Sequence, residues 1–158
     1  GISFSDIGLT KIVLPTQTLD ECMSQIQINT TCQSGTNLNV DKFLSEFDKY
    51  LNGVPTNFNK IRIDISKNLS LFHKAALMKC REIPYGETQS YGCIAEKIGN
   101  PKSSRAVGLA MARNPLPIII PCHRVVRSDG RLGGYGGKHS NVSMKQLFLD
   151  IEKSCYSG

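Results

Sequence analysis

The sequence predicts an α+β fold built from two blocks, and three observations point to it. Short alternating apolar segments and one amphipathic helix occupy residues 1–66, which indicates a small α/β domain. Residues 70–158 are largely helical, and they include two short helices joined by a tight turn. With 40% hydrophobic and 20% charged residues, the 158-residue chain has enough apolar side chains to form a core.

The first block begins with alternating segments that are typical of strands. Ile2–Phe4 and Lys11–Leu14 predict two short strands joined by a turn near Asp6–Gly8, and Ile61–Ile65 predicts a half-buried strand. Apolar residues at three- and four-residue intervals then predict an amphipathic helix that ends at Asn52-Gly53. These residues are Val40, Phe43, Leu44, Phe47 and Leu51.

The rest of the first block carries weaker signals. Leu19–Ile28 is ambiguous and compatible with a helix, whereas Cys32–Asn39 is polar and rich in turn-forming residues, which predicts a loop. No residue pattern in this block predicts chemistry.

The second block predicts several helices. Leu69, Phe72, Ala76 and Cys80 lie at helical spacing, and Pro84-Tyr85-Gly86 interrupts the pattern. Near the end of the chain, a further helix is predicted with Met144, Leu147, Phe148 and Ile151 on its apolar side.

Between these helices, two short helical segments predict a helix-turn-helix. Tyr91–Ile98 forms the first helix, with Ser90 as its cap and Gly99 as its stop. Asn100-Pro101 suits the cap and first position of a second helix, which is predicted from Lys102 to about Arg113. Such a pair is a common DNA-binding arrangement.

Positive charge is concentrated in the second block. The chain carries a net charge of +6, of which residues 81–158 contribute +5, and eight basic residues against one acid lie between Lys97 and Lys138. Such an excess attracts phosphates, although solvated lysines on any basic protein would give the same composition. The longest apolar run, Ile118–Ile120, is far shorter than the roughly 18 residues of a membrane span, so no membrane association is expected.

The cysteines are widely spaced, which favours free thiols in a reducing, intracellular compartment over a disulfide scaffold. No secretory signal is predicted at the start of the sequence. Cys22, Cys32 and His73 make a poor ligand set, so neither a metal nor another cofactor is expected. The six cysteines are Cys22, Cys32, Cys80, Cys93, Cys122 and Cys155.

The second helix of the pair has an unusually small face made by Ser104, Ala106, Gly108 and Met111. Glycine inside a helix costs about 1 kcal/mol relative to alanine, so a close approach to a partner should offset it. That partner is either another helix or a DNA groove. Arg105 beside this face favours DNA, because a long cation could fill the stack where a nucleotide has left.

The segment Ile118–Val126 contains the candidate nucleophile, Cys122. Pro121 stiffens the backbone ahead of it, and a thiol beside basic residues can react as the thiolate. His123 is a candidate base or proton relay. An adjacent cysteine and histidine are a poor metal pair, and taken alone they would more often be buried structural residues.

The motif Pro121-Cys122-His123-Arg124-Val125 resembles the active-site motif of the O6-alkylguanine-DNA alkyltransferases. The resemblance covers about residues 70–153. It extends to Pro84–Glu87 with Ser90-Tyr91, to Arg105–Gly108 with Asn114-Pro115, and to Gly133–Gly137. It implies a ribonuclease-H-like first domain, residues 1–66, and a winged-helix-like second domain, residues 70–158, that binds DNA.

The resemblance also implies a role for each site residue. Cys122 would accept the alkyl group, His123 would take the thiol proton through a water molecule, and Glu152 would orient the imidazole. Asn114 would hold the turn that shapes the site, and Tyr91 would hydrogen-bond guanine N3 and help neutralise the leaving base.

The other implied residues form the DNA interface and the base pocket. Arg105 would fill the gap left by the flipped nucleotide, next to Ser104, Ala106, Gly108 and Met111. Tyr135 and Gly136 would line the pocket, together with Val125 and Pro121. Gly136 stands where many members carry serine, so any contribution from that hydroxyl is absent.

The resemblance therefore predicts a single-turnover DNA-repair protein, monomeric and located in the cytoplasm or nucleoid, or in the nucleus of a eukaryote. Its expected partner is duplex DNA with O6-alkylguanine, and O4-alkylthymine is a weaker expected substrate. Three alternatives use parts of the same pattern: a lesion-binding relative without transfer, a helix-turn-helix regulator, and a cysteine hydrolase. Cys122 argues against the first. The regulator leaves the Cys-His-Arg motif unexplained, and the hydrolase leaves Arg105 and the basic block unexplained.

Overall fold

The computed structural model describes residues 1–14, 38–65, 69–134 and 142–154. These residues form an α+β fold with five α-helices and two two-stranded sheets, which confirms the predicted class. Across the same residues, none of the helices combines the length and the apolar character needed to cross a bilayer. The segment Leu19–Ile28 and most of Cys32–Asn39 lie outside the described residues.

The chain begins with an antiparallel hairpin of β1, Ile2–Phe4, and β2, Leu9–Ile12. A turn closed by the hydrogen bond from Ser5 N to Gly8 O, 2.9 Å, joins the strands and confirms the predicted hairpin. The second strand starts two residues earlier than predicted, because the fully buried Leu9 donates its N–H to Arg62 O at 2.9 Å.

The strand predicted over Ile61–Ile65 is wrong. This segment makes only an isolated bridge, between Leu9 and Ile63. The alternation fails because Asp64 is buried, where its carboxylate accepts a hydrogen bond of 2.8 Å from Ser5 Oγ. A buried acid with a hydroxyl partner cannot be distinguished in the sequence from an exposed strand residue.

Helix α1, Leu38–Leu51, is followed by Gly53, whose φ of 77° matches the predicted stop. Its buried face differs from the predicted one. Phe43 and Tyr50 are buried, whereas Leu44 and Leu51 are each 48% exposed. Phe43 and Tyr50 are therefore the residues by which α1 enters the core.

Four helices form the second block: α2, Leu71–Arg81; α3, Tyr91–Lys97; α4, Ser104–Ala112; and α5, Val142–Ser154. Ser90 caps α3 as predicted, accepting a hydrogen bond of 3.0 Å from Cys93 N, and Gly99 follows with a φ of 73°.

Helix α4 starts two residues later than predicted. Asn100 does not cap it, because its side-chain amide donates to Ile98 O at 2.9 Å within the turn. Ser103 precedes the helix, and its hydroxyl donates back to Asn100 O.

One hydrophobic cluster extends through both blocks. It runs from Leu9 and Phe43 to Ala76, Val107 and Phe148. A second small sheet pairs β3, Gln89–Ser90, in parallel with β4, Val125–Val126. This pairing positions the start of α3, which is Tyr91, beside the segment that follows Cys122.

Candidate active site

Cys122 begins a tight 3-10 turn, Cys122–Arg124, at the end of a folded loop. In that loop Ile118 has a φ of 75°, an uncommon backbone conformation for a β-branched residue. Asn114 holds the loop, because its side-chain amide donates to Ile120 O at 2.8 Å and to Cys122 Sγ at 3.1 Å. Asn114 directly follows α4 and its capping residue, so this contact places the 5%-exposed thiol at the end of that helix.

His123 and Glu152 form a fully buried pair with 2.7 Å between Nε2 and Oε1. Burial lowers the pKa of His123, and the carboxylate opposes this shift only in part. The imidazole is therefore held neutral, with its Nε2 proton directed to Glu152. Nδ1 is buried with no hydrogen-bond partner among the described residues, which makes it the nitrogen free to accept a proton.

Arg124, for which the sequence alone predicts no role, holds Glu152 from the other side. Its guanidinium donates to both carboxylate oxygens at 3.0–3.2 Å, and Gly86 N donates to Oε2 at 3.0 Å. Burial alone would raise the pKa of Glu152, but the hydrogen bonds from His123 and Arg124 hold it at about 2. The carboxylate is therefore ionised at any physiological pH.

Lys145 on α5 is a second residue that the sequence did not reveal. Its side chain is fully buried, and Nζ donates to the carbonyls of Val125 at 2.6 Å and Leu132 at 2.5 Å. Burial lowers the pKa of Lys145 to about 8, opposed by Cys122 and Cys80. Helical periodicity could have flagged it, because it lies one position from the apolar Met144 and three from Phe148.

Tyr91 connects this buried region to the surface. Its hydroxyl is 3.4 Å from Lys145 Nζ, and burial raises its pKa, with smaller contributions from Cys122 and Cys80. A Cβ added to Gly133 would lie 3.1 Å from the Tyr91 hydroxyl oxygen, and Gly133 has a φ of 68°. Both observations explain why glycine occupies that position.

Tyr91 also lines an open cavity of about 490 Å³ beside α4. Ser104, Arg105 and Gly108 line it from the helix, and Arg127 lines it from the segment after β4. Arg105 and Ala106 are exposed, as predicted for residues that meet a partner.

Three predicted residues are placed differently. Met111 is buried in the hydrophobic cluster instead of on the small face, because it lies one helical turn after the fully buried Val107 on the inner side of α4. Val125 is fully buried in β4, and Pro121 lines a separate cavity of about 280 Å³ with Tyr85 and Arg124. Tyr135 and Gly136 lie outside the described residues.

A buried cysteine, histidine and glutamate beside the α3–α4 helix pair define a class of proteins with a cysteine-centred site next to two short helices. The chain belongs to the family described as 6-O-methylguanine DNA methyltransferase, DNA binding domain, whose model matches residues 71–154.

Two curated relatives carry the name methylated-DNA–protein-cysteine methyltransferase. The protein from Methanosarcina acetivorans is 54% identical over 84 residues, which cover 53% of this chain and 52% of the relative. The protein from Mycobacterium leprae is 44% identical over 110 residues, which cover 70% of this chain and 63% of the relative. The match therefore spans between about half and two-thirds of the relatives' length.

Solved structures extend the similarity beyond the matched family region. The O6-methylguanine methyltransferase of Mycobacterium tuberculosis has a TM-score of 0.74 and 34% identity, covering 97% of this chain and 91% of that one. A structure of Mycobacterium tuberculosis OGT in complex with DNA also has a TM-score of 0.74, with 31% identity over 97% of this chain and 85% of that one.

Proposed function

We propose that this protein repairs DNA by moving the alkyl group of O6-alkylguanine onto Cys122. The observation that carries the proposal is the Cys122 thiol itself, held by Asn114 at the end of α4 and followed directly by the buried His123–Glu152 pair. The names of the relatives, and the structure of one relative in complex with DNA, support the same activity.

The chemistry follows from the arrangement. His123 Nδ1 accepts the thiol proton through a water molecule, and Glu152 stabilises the resulting imidazolium. The thiolate forms a bond to the alkyl carbon while the carbon–O6 bond breaks, and the electron pair passes into the guanine. Tyr91 hydrogen-bonds guanine N3 and assists the departure of the base. The thioether is a poor leaving group, so each protein molecule acts once.

The open cavity beside α4 is the place where the extruded nucleotide enters. Arg105 occupies the gap in the base stack, and the small residues Ser104, Ala106 and Gly108 allow the helix to approach the groove closely. Flipping a nucleotide costs a few kcal/mol, which binding to the basic second block offsets. Tyr135 and Gly136 complete the pocket in this proposal.

The finer expectations from the sequence belong to the same proposal. They are the ribonuclease-H-like and winged-helix-like character of the domains 1–66 and 70–158, a monomeric state, activity on O4-alkylthymine, and a location in the cytoplasm or nucleoid, or in the nucleus of a eukaryote. The absence of a cofactor is part of the proposal as well, because the thiol alone accepts the alkyl group.

The decisive experiment counts methyl groups. Duplex DNA with radiolabelled O6-methylguanine is incubated with the protein, and we expect about one label per molecule, located on Cys122 by peptide mass. Cys122→Ser should transfer nothing, whereas Cys93→Ser, which alters another thiol of the second block, should transfer normally. DNA binding without transfer in the unmodified protein would leave only a lesion-binding role and would overturn the proposal.

A further inference from the structure

A side chain of the first block, where the sequence predicts no chemistry, reaches the buried cluster beneath Cys122. Tyr50, near the end of α1, is fully buried. Its ring packs against His123 with 6.4 Å between centroids and against Phe148 with 6.1 Å. The first block therefore touches the site through this tyrosine.

The hydroxyl of Tyr50 lies beside the two atoms that join His123 to Glu152. It donates to Glu152 Oε1 at 2.9 Å and lies 3.4 Å from His123 Nε2. The same carboxylate oxygen accepts from His123 and Arg124. Three side chains thus share the negative charge of one oxygen atom.

We propose that Tyr50 is a positioning residue of the Cys122 site, whose hydroxyl holds Glu152 and tunes the basicity of His123. The proposal deepens the proposed function and rests on it. The hydroxyl takes up part of the carboxylate's hydrogen-bonding capacity, so less of the charge is available to stabilise a protonated imidazole. His123 consequently remains neutral and able to accept the thiol proton.

The charged and titratable groups around Tyr50 are consistent with this role. Glu152 and Lys145 reach the cluster from α5, His123 and Arg124 from the 3-10 turn, and Tyr85 from the loop before β3. Burial and the charge of Glu152 both raise the pKa of Tyr50, so the phenol stays protonated and remains a donor. A phenolate here would repel Glu152 and release the pair.

Removing the single hydroxyl distinguishes this role from core packing, because Tyr50→Phe keeps the ring and its aromatic contacts. We expect the pKa of His123 to rise in Tyr50→Phe, because Glu152 then concentrates its charge on the imidazole. The acid limb of benzyl transfer from free O6-benzylguanine should move to higher pH by about 0.5–1 unit, which lowers the rate below the midpoint about three- to tenfold. The free base removes any effect of DNA binding.

Tyr85→Phe is the matched control. It also removes one tyrosine hydroxyl, which is partly buried and contacts the carbonyls of Gly53 and Ile151 at 3.4 and 3.5 Å. Its pH midpoint should equal that of the unmodified protein. A general loss of packing would instead lower the rate of either variant equally at every pH, without moving the midpoint.

A second variant guards against misfolding of Tyr50→Phe. Site-specific 3-fluorotyrosine at position 50 keeps the shape but makes the hydroxyl a stronger donor, so the midpoint should move to lower pH.

The ¹⁵N resonances of the His123 imidazole give the same information without any transfer reaction. Shifts in opposite directions for the two variants support the role, whereas an unmoved midpoint and unchanged imidazole resonances overturn it. If the unmodified protein transfers no methyl group from O6-methylguanine in duplex DNA, the proposed function fails separately, and the imidazole resonances still decide the role of Tyr50.

Discussion

The two sides of the Cys122 turn are built in opposite ways. On the buried side, His123, Glu152 and Tyr50 are fully enclosed and joined by hydrogen bonds of 2.7–2.9 Å. On the open side, Arg105 and Ala106 are exposed on α4, and Arg105 lines a cavity of about 490 Å³. One side holds polar groups in a fixed arrangement, and the other presents a surface to a partner.

The difference shows how stability and function are divided. The charged side chains of a buried ion pair have lost their hydration and depend on each other for compensation. Removing one partner therefore leaves an uncompensated charge in the core. An exposed helix face loses little when one side chain changes. We therefore expect variants of the buried side to reduce stability and transfer together, and variants of the open side to weaken DNA binding without loss of stability.

Glu152→Gln should have the largest effect. It leaves Arg124 and His123 without their shared anion, and we expect a loss of about 3–5 kcal/mol in the free energy of unfolding. Transfer should fall at least about a hundredfold, because the imidazolium is no longer stabilised. Urea unfolding and single-turnover transfer measure the two losses, with Asp150→Asn on the exposed side of α5 as the control.

Acid unfolding sharpens this prediction. The pKa of Glu152 lies at about 2 in the folded protein against 4.5 for a free carboxyl group. A lowered pKa contributes stability that is complete above pH 4.5 and disappears as the pH falls towards 2. The unmodified protein should therefore lose stability more steeply in this range than Glu152→Gln. If the free energy of unfolding fell equally steeply with decreasing pH in the two proteins, the carboxylate would not be held by its partners.

Lys145→Met should rank second. It leaves the carbonyls of Val125 and Leu132 without their buried donor, and each unpaired buried group costs about 1–3 kcal/mol. We also expect slower transfer from the free base, because Nζ no longer supports Tyr91. Lys145→Arg, which restores a donor, should recover part of the rate, and Lys153→Met on the exposed side of α5 should change neither quantity. Normal transfer in Lys145→Met would confine this lysine to folding.

The sequence allowed the open side to be predicted better than the buried side. The helix pair, the Ser90 cap and the exposure of Arg105 follow from local signals that survive folding: capping residues, glycine stops and periodicity. The Cys122-His123 motif was likewise visible, because its members are contiguous in the chain.

The buried partners could not be derived in the same way. Tyr50 lies 73 residues from His123 and 102 from Glu152, and nothing local distinguishes it from the other aromatic residues of α1. In the sequence Lys145 resembles an exposed surface lysine, and Met111 resembles a residue of the small face of α4. In the structure both side chains are buried. Long-range pairing decides the place of Tyr50, so only the folded chain reveals it, whereas helical periodicity gives a partial signal for Lys145 and Met111.

Gly108→Ala tests the open side directly. A Cβ at this position would lie 3.9 Å from the Tyr91 ring, which is an ordinary contact, so the fold should accept it. We expect the unfolding free energy to rise by about 1 kcal/mol, since alanine is the better helix former. Duplex binding should nevertheless weaken, because the methyl group stands between α4 and the groove. Unchanged binding would mean that Gly108 serves only the packing of the protein.

The smallest expected effect belongs to Arg127, which lines the cavity opposite Arg105. Its neighbour Arg131 is held by Asp129, with 2.8 Å between Nε and Oδ2, whereas Arg127 forms no ion pair within the part of the chain that the structure describes. Arg127 is therefore the guanidinium of this segment that is free to contact a phosphate. In Arg127→Ala the slope of the logarithm of the DNA-binding constant against the logarithm of the salt concentration should fall in magnitude by about 0.9, which corresponds to the loss of one phosphate contact.

Arg131→Ala removes the same charge from the same segment and provides the comparison. Its salt slope should stay close to that of the unmodified protein, because its guanidinium is already paired with Asp129. Transfer from the free base should be normal in Arg131→Ala, since this side chain does not line the cavity beside α4. Equal salt slopes for the two variants would mean that this segment attracts DNA only through its net charge and makes no specific phosphate contact. The DNA-binding surface would then be confined to α4.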